Sequence, residues 1–214
     1  MRFAQKPKAA LSSKLRRIIY VEGQDDAFFL DKLLGELAAN EADVGIVHLN
    51  GDGALEGEIG FLAKSASYVQ RLTTHLAFFL DADTGVKQRM ASVNAGFNRI
   101  GWPITQHGAF ADYDNGRRVG VFIFPNGVDA GELEDLLLTT VASDDRLATV
   151  SEALSAVERD HGNLNKRSKR IARMYISVLP VKPCGVGRGY CEGVFPADHP
   201  SIEAVRDFLR EFLA

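Results

Sequence analysis

At 214 residues, with 46% hydrophobic and 25% charged side chains, the chain can build one substantial core or at most two small domains of ordinary soluble composition. A net charge of −3 excludes a globally basic nucleic-acid coat, though not a local basic groove. The longest apolar runs, such as Val119 to Pro125, are too short to span a bilayer, and Met1 to Arg17 lacks an apolar signal-peptide core; a cytoplasmic location without membrane association is expected.

Residues 1–16 read as a tail or a short lead-in strand. Residues 18–22 alternate and branch like a buried strand, and Asp25 or Asp26 can cap a helix running to about Asn40, with Phe29, Leu33, Leu34 and Leu37 near helical spacing. Val44 to Leu49 predicts a second strand. Asn50-Gly51-Asp52-Gly53 is then a turn, followed by a helix to about Thr73. His75 to Leu80 predicts a third strand and Val86 to about Asn98 its helix. Repeated strand-helix units with short connections predict a parallel sheet with right-handed crossovers.

The pattern changes after Gly101. Asp114-Asn115-Gly116 between Ala109–Tyr113 and Arg117–Phe124 is a hairpin signal, because Asn-Gly suits the turn that matches strand twist. Gly131 to about Thr140, Asp144 to about Asp160, Leu164 to about Ser177 and Ile202 to Leu213 read as helices, the last with Pro200 near its start. No internal repeat or long linker divides the chain. Cys184 and Cys191 read as structural thiols: a zinc site needs further ligands, and only His199 is within easy sequence reach.

Two acidic clusters end apolar runs just before helix starts: Tyr20-Val21-Glu22-Gly23-Gln24-Asp25-Asp26 and Phe79-Leu80-Asp81-Ala82-Asp83-Thr84-Gly85. A carboxylate just past a buried strand is costly unless it meets a cation. In an open parallel sheet, ligands gather beyond the carboxyl ends of the strands. Glu22, Asp81 and Asp83 therefore suggest a divalent-metal site there. If the strand continued through Asp81-Ala82-Asp83, alternation would put both aspartates on one side. Magnesium, which keeps several of its waters, suits such a set.

Val21-Glu22-Gly23-x-Asp25-Asp26 resembles the first motif of Toprim domains, and Asp81-x-Asp83-x-Gly85 resembles their Asp-x-Asp motif. The likeness covers roughly residues 17–100. Phe122-Ile123-Phe124-Pro125 and Gly131-x-Leu133-Glu134-Asp135-Leu136-Leu137 extend it toward compact Toprim-related bacterial proteins of the branch that includes OLD nucleases. The resemblance implies a Rossmann-like, mainly parallel α/β sheet flanked by helices, with a hairpin addition and a helical C-terminal part. Residues 17–214 would form a single domain, with core motifs in 17–100 and an extension over 101–214. It implies Mg²⁺ (or Mn²⁺) held by Asp81 and Asp83, with Glu22 in metal binding or acid/base chemistry. Glu134 would be the added carboxylate, with Asp135 or Glu132 behind it, and Lys169 the matching catalytic lysine. Phosphodiester hydrolysis on DNA or RNA follows as the expected activity, with a homodimer or a protein partner as further expectations. No tyrosine-bearing topoisomerase-sized chain, cysteine-rich primase module or ATPase phosphate loop accompanies these motifs.

Blander readings stand beside each residue. Glu22 can pair with Arg16 or Arg17, while Asp25, Asp26, Glu132, Glu134 and Asp135 suit the first turns of helices. Lys166, Lys169, Arg170 and Arg173 fall on one helical face opposite Leu164, Ile171, Tyr175 and Val178, as in any amphipathic helix with a solvated side. Gly185-Val186-Gly187-Arg188-Gly189 lacks the context of a dinucleotide loop. The rival functions are a non-catalytic regulatory or interaction module of the same fold, and a small-molecule phosphatase or nucleotide-sugar enzyme built on Asp81-x-Asp83-Thr84. The last pair leaves Glu22-Gly23 unexplained.

Overall fold

Branched and aromatic residues in short runs form the strands, and their alternation decides which helices cover each face. The computed structural model describes residues 3–5, 15–49, 73–83, 85–104, 106–113, 116–127, 130–182 and 184–214. Among these, the strands are β1 (Ala4–Gln5), β2 (Arg17–Val21), β3 (Val44–His48), β4 (His75–Asp81), β5 (Ala109–Tyr113) and β6 (Arg117–Phe124). They form one sheet in the order β1-β3-β2-β4-β6-β5. All neighbours are parallel except β5 and β6, the expected hairpin, which pair antiparallel. Asp114 and Asn115 of its turn lie outside the described residues, as do the turn and helix expected over 50–72.

The helices are α1 (Gln24–Glu36), α2 (Val86–Asn98), α3 (Leu133–Thr139), α4 (Asp145–His161), α5 (Arg167–Ser177), α6 (Val186–Cys191) and α7 (Glu203–Leu213), the last preceded by a 3₁₀ turn at Pro200–Ile202. On one sheet face Ile19, Val21, Ala77, Phe79, Phe122 and Phe124 pack with residues of α1, α3, α5, α6 and α7. On the other, Ile18, Tyr20, Leu76, Phe78, Leu80, Val121 and Ile123 meet Val93 and Phe97 of α2, together with Trp102 and Ile104. Side chains of successive strand residues point to opposite faces, so a strand buried on both sides needs an unbroken apolar run. That is why β2, β4 and β6 read as continuous hydrophobic stretches.

Several element limits differ from expectation for local reasons. The first helix stops at Glu36, with Ala38 in the left-handed region (φ 54°), instead of reaching Asn40. The third begins at Leu133, two residues after Gly131 (φ 142°), and the fifth at Arg167, because Lys166 is left-handed (φ 54°). Val178, expected on the apolar face, is 56% exposed beyond the end of α5. The helix α6 lies in the Gly-rich stretch, where propensity argues against one. Tertiary packing decides it: a Cβ on Gly187 would stand 1.9 Å from the Asp25 carbonyl oxygen, so only glycine lets α6 lie against α1.

Candidate functional site

The parallel neighbours β2, β4 and β6 all end at the same edge of the sheet, and acidic side chains follow each of them. Glu22 comes immediately after β2, Asp81 is the last residue of β4, and Glu134 is in the first turn of α3 after β6. They line one cleft of about 370 Å³, which Asp26, Asp83 and Lys169 also border. The predicted residues Glu22, Asp81, Asp83, Glu134 and Lys169 are thus brought to one place.

Each side chain is fixed by its own element. Glu22 is buried; its Oε2 accepts the Asp81 N–H at 2.9 Å, and its Oε1 is ion-paired with the Arg89 guanidinium. Arg89 reaches it from α2, one turn beyond Gly85. Arg17, one of the partners expected for Glu22, does other work. Arg17 pairs with Asp43 and donates to the Phe212 carbonyl, tying β2 to the C-terminal helix. Asp81 accepts the Leu133 N–H at 3.1 Å, which links β4 to the start of α3. Strand β4 does not run on through Asp83. That residue is exposed and left-handed (φ 49°), and its N–H donates to the Gly131 carbonyl at 3.0 Å. It joins Asp81 at the cleft by this turn and not by strand alternation.

The acids crowd one another. Burial pushes the Asp81 carboxyl up to about 8, with Asp26, Glu134 and Glu132 adding repulsion that the Leu133 N–H only partly offsets. Burial likewise lifts Asp26 to about 7; the Gly23 N–H, which donates to its Oδ2 at 2.8 Å, opposes this, and Glu134 reinforces it. Glu134, only 2% exposed, is also raised by burial, against the pull of Lys169. Lys169 Nζ stands 3.2 Å from Glu134 Oε1 and 4.0 Å from Glu132 Oε2, and Lys166 Nζ is 3.2 Å from Glu132 Oε2. Burial lowers both ammonium groups, but the nearby carboxylates outweigh it and leave them raised.

Some acids have structural duties instead. Asp135 Oδ2 accepts the Glu132 N–H at 2.8 Å and its Oδ1 accepts the Ser168 hydroxyl, so it caps α3 and fastens α5. Asp25 accepts the Gly187 N–H at 3.0 Å and anchors α6. Asp26 and Arg89, by contrast, are site residues that sequence reasoning did not assign. Asp26 was recognisable only as a helix-start acid, although its place four residues after Glu22 returns it to the same edge. Arg89 had one signal, its position a single turn beyond Gly85.

The donor set is entirely carboxylate oxygen, which suits a hard divalent cation that keeps much of its water. Burial above all raises the carboxyls of Asp26, Asp81 and Glu134, and a divalent cation among them would favour their ionised forms, so the chemistry of the residues fits such an ion. Among the described residues no three carboxylate, imidazole or thiolate side chains are grouped to hold it in their present orientations. Glu22 is turned to Arg89 and Glu134 to Lys169. A separate cavity of about 400 Å³ beside Cys184, Arg188 and Glu192 has no comparable gathering of buried acids among the described residues.

No helix among the described residues is long and apolar enough to cross a membrane. Among curated proteins, none matches the chain. Among solved structures, the C-terminal region of the Burkholderia pseudomallei OLD protein is similar, with a TM-score of 0.50 and 15% identity over 94% of this chain and 99% of that one. At that identity the likeness speaks for the α/β fold. A family model described as "Protein of unknown function (DUF3226)" matches residues 16–214, and the chain belongs to that family.

Proposed function

We propose that the protein is a Toprim-like, Mg²⁺- or Mn²⁺-dependent phosphodiester hydrolase acting on nucleic acid. The observation that carries this reading is the crowding of Glu22, Asp26, Asp81 and Glu134 at the carboxyl edge of adjacent parallel strands, with lysines on the rim. Perturbed carboxyls gathered in a cleft favour a functional site over a merely structural ion-pair network. The fold shared with the OLD protein's C-terminal region agrees with it.

In this reading Asp81, Asp83 and Glu134 hold the cation, and Glu22 completes the set or takes a proton at its Oε1. A divalent ion supplies Lewis acidity toward a phosphate oxygen and lowers the pKa of an attacking water. The chain does the rest. The Leu133 N–H fixes the Asp81 carboxyl, the Asp81 N–H fixes Glu22, and Arg89 holds the Glu22 carboxylate in an ion pair at its buried position. Lys169 lies where its ammonium can meet charge developing on a phosphate.

The test is cleavage of supercoiled plasmid and of RNA with Mg²⁺ or Mn²⁺, beside Mn²⁺ calorimetry. Wild-type protein should cleave and bind, and Asp81→Ala/Asp83→Ala should do neither. Persistent cleavage by the double variant defeats the reading.

A second reading has its own observation. Glu22 and Glu134 already have cationic partners within the chain, Arg89 and Lys169, which is how a non-catalytic regulatory or interaction module would settle inherited carboxylates. Absence of metal-dependent heat together with a tight protein partner would select it.

A further inference from the structure

We infer that the exposed face of α5 is the track on which the phosphate backbone of a nucleic-acid strand lies as it enters the carboxylate cleft. The inference rests on the nucleic-acid part of the function proposed above and assigns it a surface.

The carrying observation is a change of charge along continuous ground. A groove of about 420 Å³ is lined by Asn165, Lys166, Lys169, Arg170 and Arg173, with no carboxylate lining it among the described residues. Lys166, Lys169 and Arg173 also line the acidic cleft, so a groove whose charged described residues are all cationic opens directly into it.

The cations differ in what they already hold. Lys166 and Lys169, at the lip, are paired with Glu132 and Glu134. Arg170 and Arg173 are exposed and have no ion pair among the described residues; the Arg170 Nε donates only to the Asn165 carbonyl. Among the other exposed helix arginines, Arg146, Arg167 and Arg210 are each matched with a nearby acid, while Arg159 on α4 has no ion pair among the described residues.

A merely solvated face would need none of this arrangement. The opposite side of α5 is held rigidly by buried Ile171, Ala172, Tyr175 and Ile176, and Ser168 is tied to Asp135. Lys166 to Arg173 spans about 10 Å at 1.5 Å per residue, the axial length of about three phosphates on one strand. Among the described residues no aromatic side chain lines the groove, and the contacts these cations would make are to the backbone, independent of base sequence.

Fluorescence anisotropy with labelled 20-mers tests this, using single-stranded DNA, duplex DNA and single-stranded RNA in Ca²⁺ to separate binding from cleavage. Arg170→Glu/Arg173→Glu should weaken binding at least tenfold at low salt. The slope of log K against log salt should shrink by about 0.9 per lost contact on duplex DNA, or about 1.8 in all, and by about 0.7 per contact, or about 1.4 in all, on single strands. Arg99→Glu/Arg159→Glu, with the same charge change outside the groove, should lose less than twofold. Equal losses in the two double variants, or none, overturn the inference. Melting curves check folding, and Arg170→Gln/Arg173→Gln replaces the glutamate pair if that variant is unfolded. Mn²⁺-dependent hydrolysis of bis(p-nitrophenyl) phosphate separates the hypotheses. Its absence in wild type counts against hydrolysis while the binding result still decides the track, and its presence supports hydrolysis whatever the binding result.

Discussion

Asp81 and Asp144 each accept a backbone N–H at a helix start, but their surroundings drive their carboxyls in opposite directions. Asp144 caps α4, takes the Arg146 N–H at 2.9 Å, and also receives the Arg146 guanidinium and the Tyr175 hydroxyl at 2.8 Å. These donors hold it well below the ordinary carboxylate range. Asp81 receives one N–H and faces Asp26, Glu134 and Glu132. The first carboxylate is placed for the fold. The second is held at a cost to it, which proteins accept where charge has work to do.

Within the cleft the two kinds can be separated by mutation. Glu22 is paired, so Glu22→Ala should remove a carboxylate partner of the mostly buried Arg89 and destabilise by up to about 3–5 kcal/mol in denaturant melts. An unchanged midpoint would show that the pair contributes nothing. Gly187→Ala moves no charge but drives a methyl group into the backbone at Asp25. It should cost about 1–3 kcal/mol, and wild-type stability would mean that α6 shifts freely.

Asp81→Asn should act in the other direction, because the amide keeps an acceptor for Leu133 and removes repulsion. In metal-free buffer at pH 8, its Tm should rise by about 2–4 °C per kcal/mol relieved. The same contrast has a pH signature. The folded pKa values of Asp81 and Asp26, about 8 and about 7, exceed the unfolded values, so folded protein binds more protons and their contribution falls as pH rises toward 8. Between about pH 6.5 and 8 metal-free protein should therefore become less stable, above the range where His75, held down to about 4, contributes the opposite slope. A flat or rising Tm there would contradict the crowding, and saturating Mg²⁺ should remove the trend. For Asp144 the depressed pKa gives stability present above the ordinary carboxylate value and lost in stronger acid. Tyr175→Phe should have the smallest effect: a modest fall in Tm, with the Asp144 carboxyl moving up toward its ordinary value in an NMR titration.

Much of the architecture was legible because strand burial leaves a direct trace. Unbroken apolar runs at Ile18–Val21, Leu76–Leu80 and Val119–Phe124 required covered parallel strands, and acids at their ends required a polar edge. The candidate site was legible at the strand ends, Glu22 and Asp81, while Glu134 on α3 and Lys169 on α5 were named through the family resemblance. Asp83 arrived by another route, through a left-handed turn that alternation does not foresee. Asp26 looked like a helix-start acid and is one, capping Gly23, but burial against Asp81 and Glu134 gives it a second character.

By itself, the sequence determined the alternation that buries both faces of the sheet, the hairpin at its edge, the amphipathic helices, and the chemical type of the cleft. Each follows from residue type and short-range spacing, which set local conformation and solvent preference. Only the tertiary structure decided that Arg89 meets Glu22, that Lys169 chooses Glu134, that a Gly-rich segment becomes α6, and that the basic face of α5 opens into the acidic cleft. Those outcomes depend on distances between residues far apart in the chain, and Coulomb and packing energies are settled by distance.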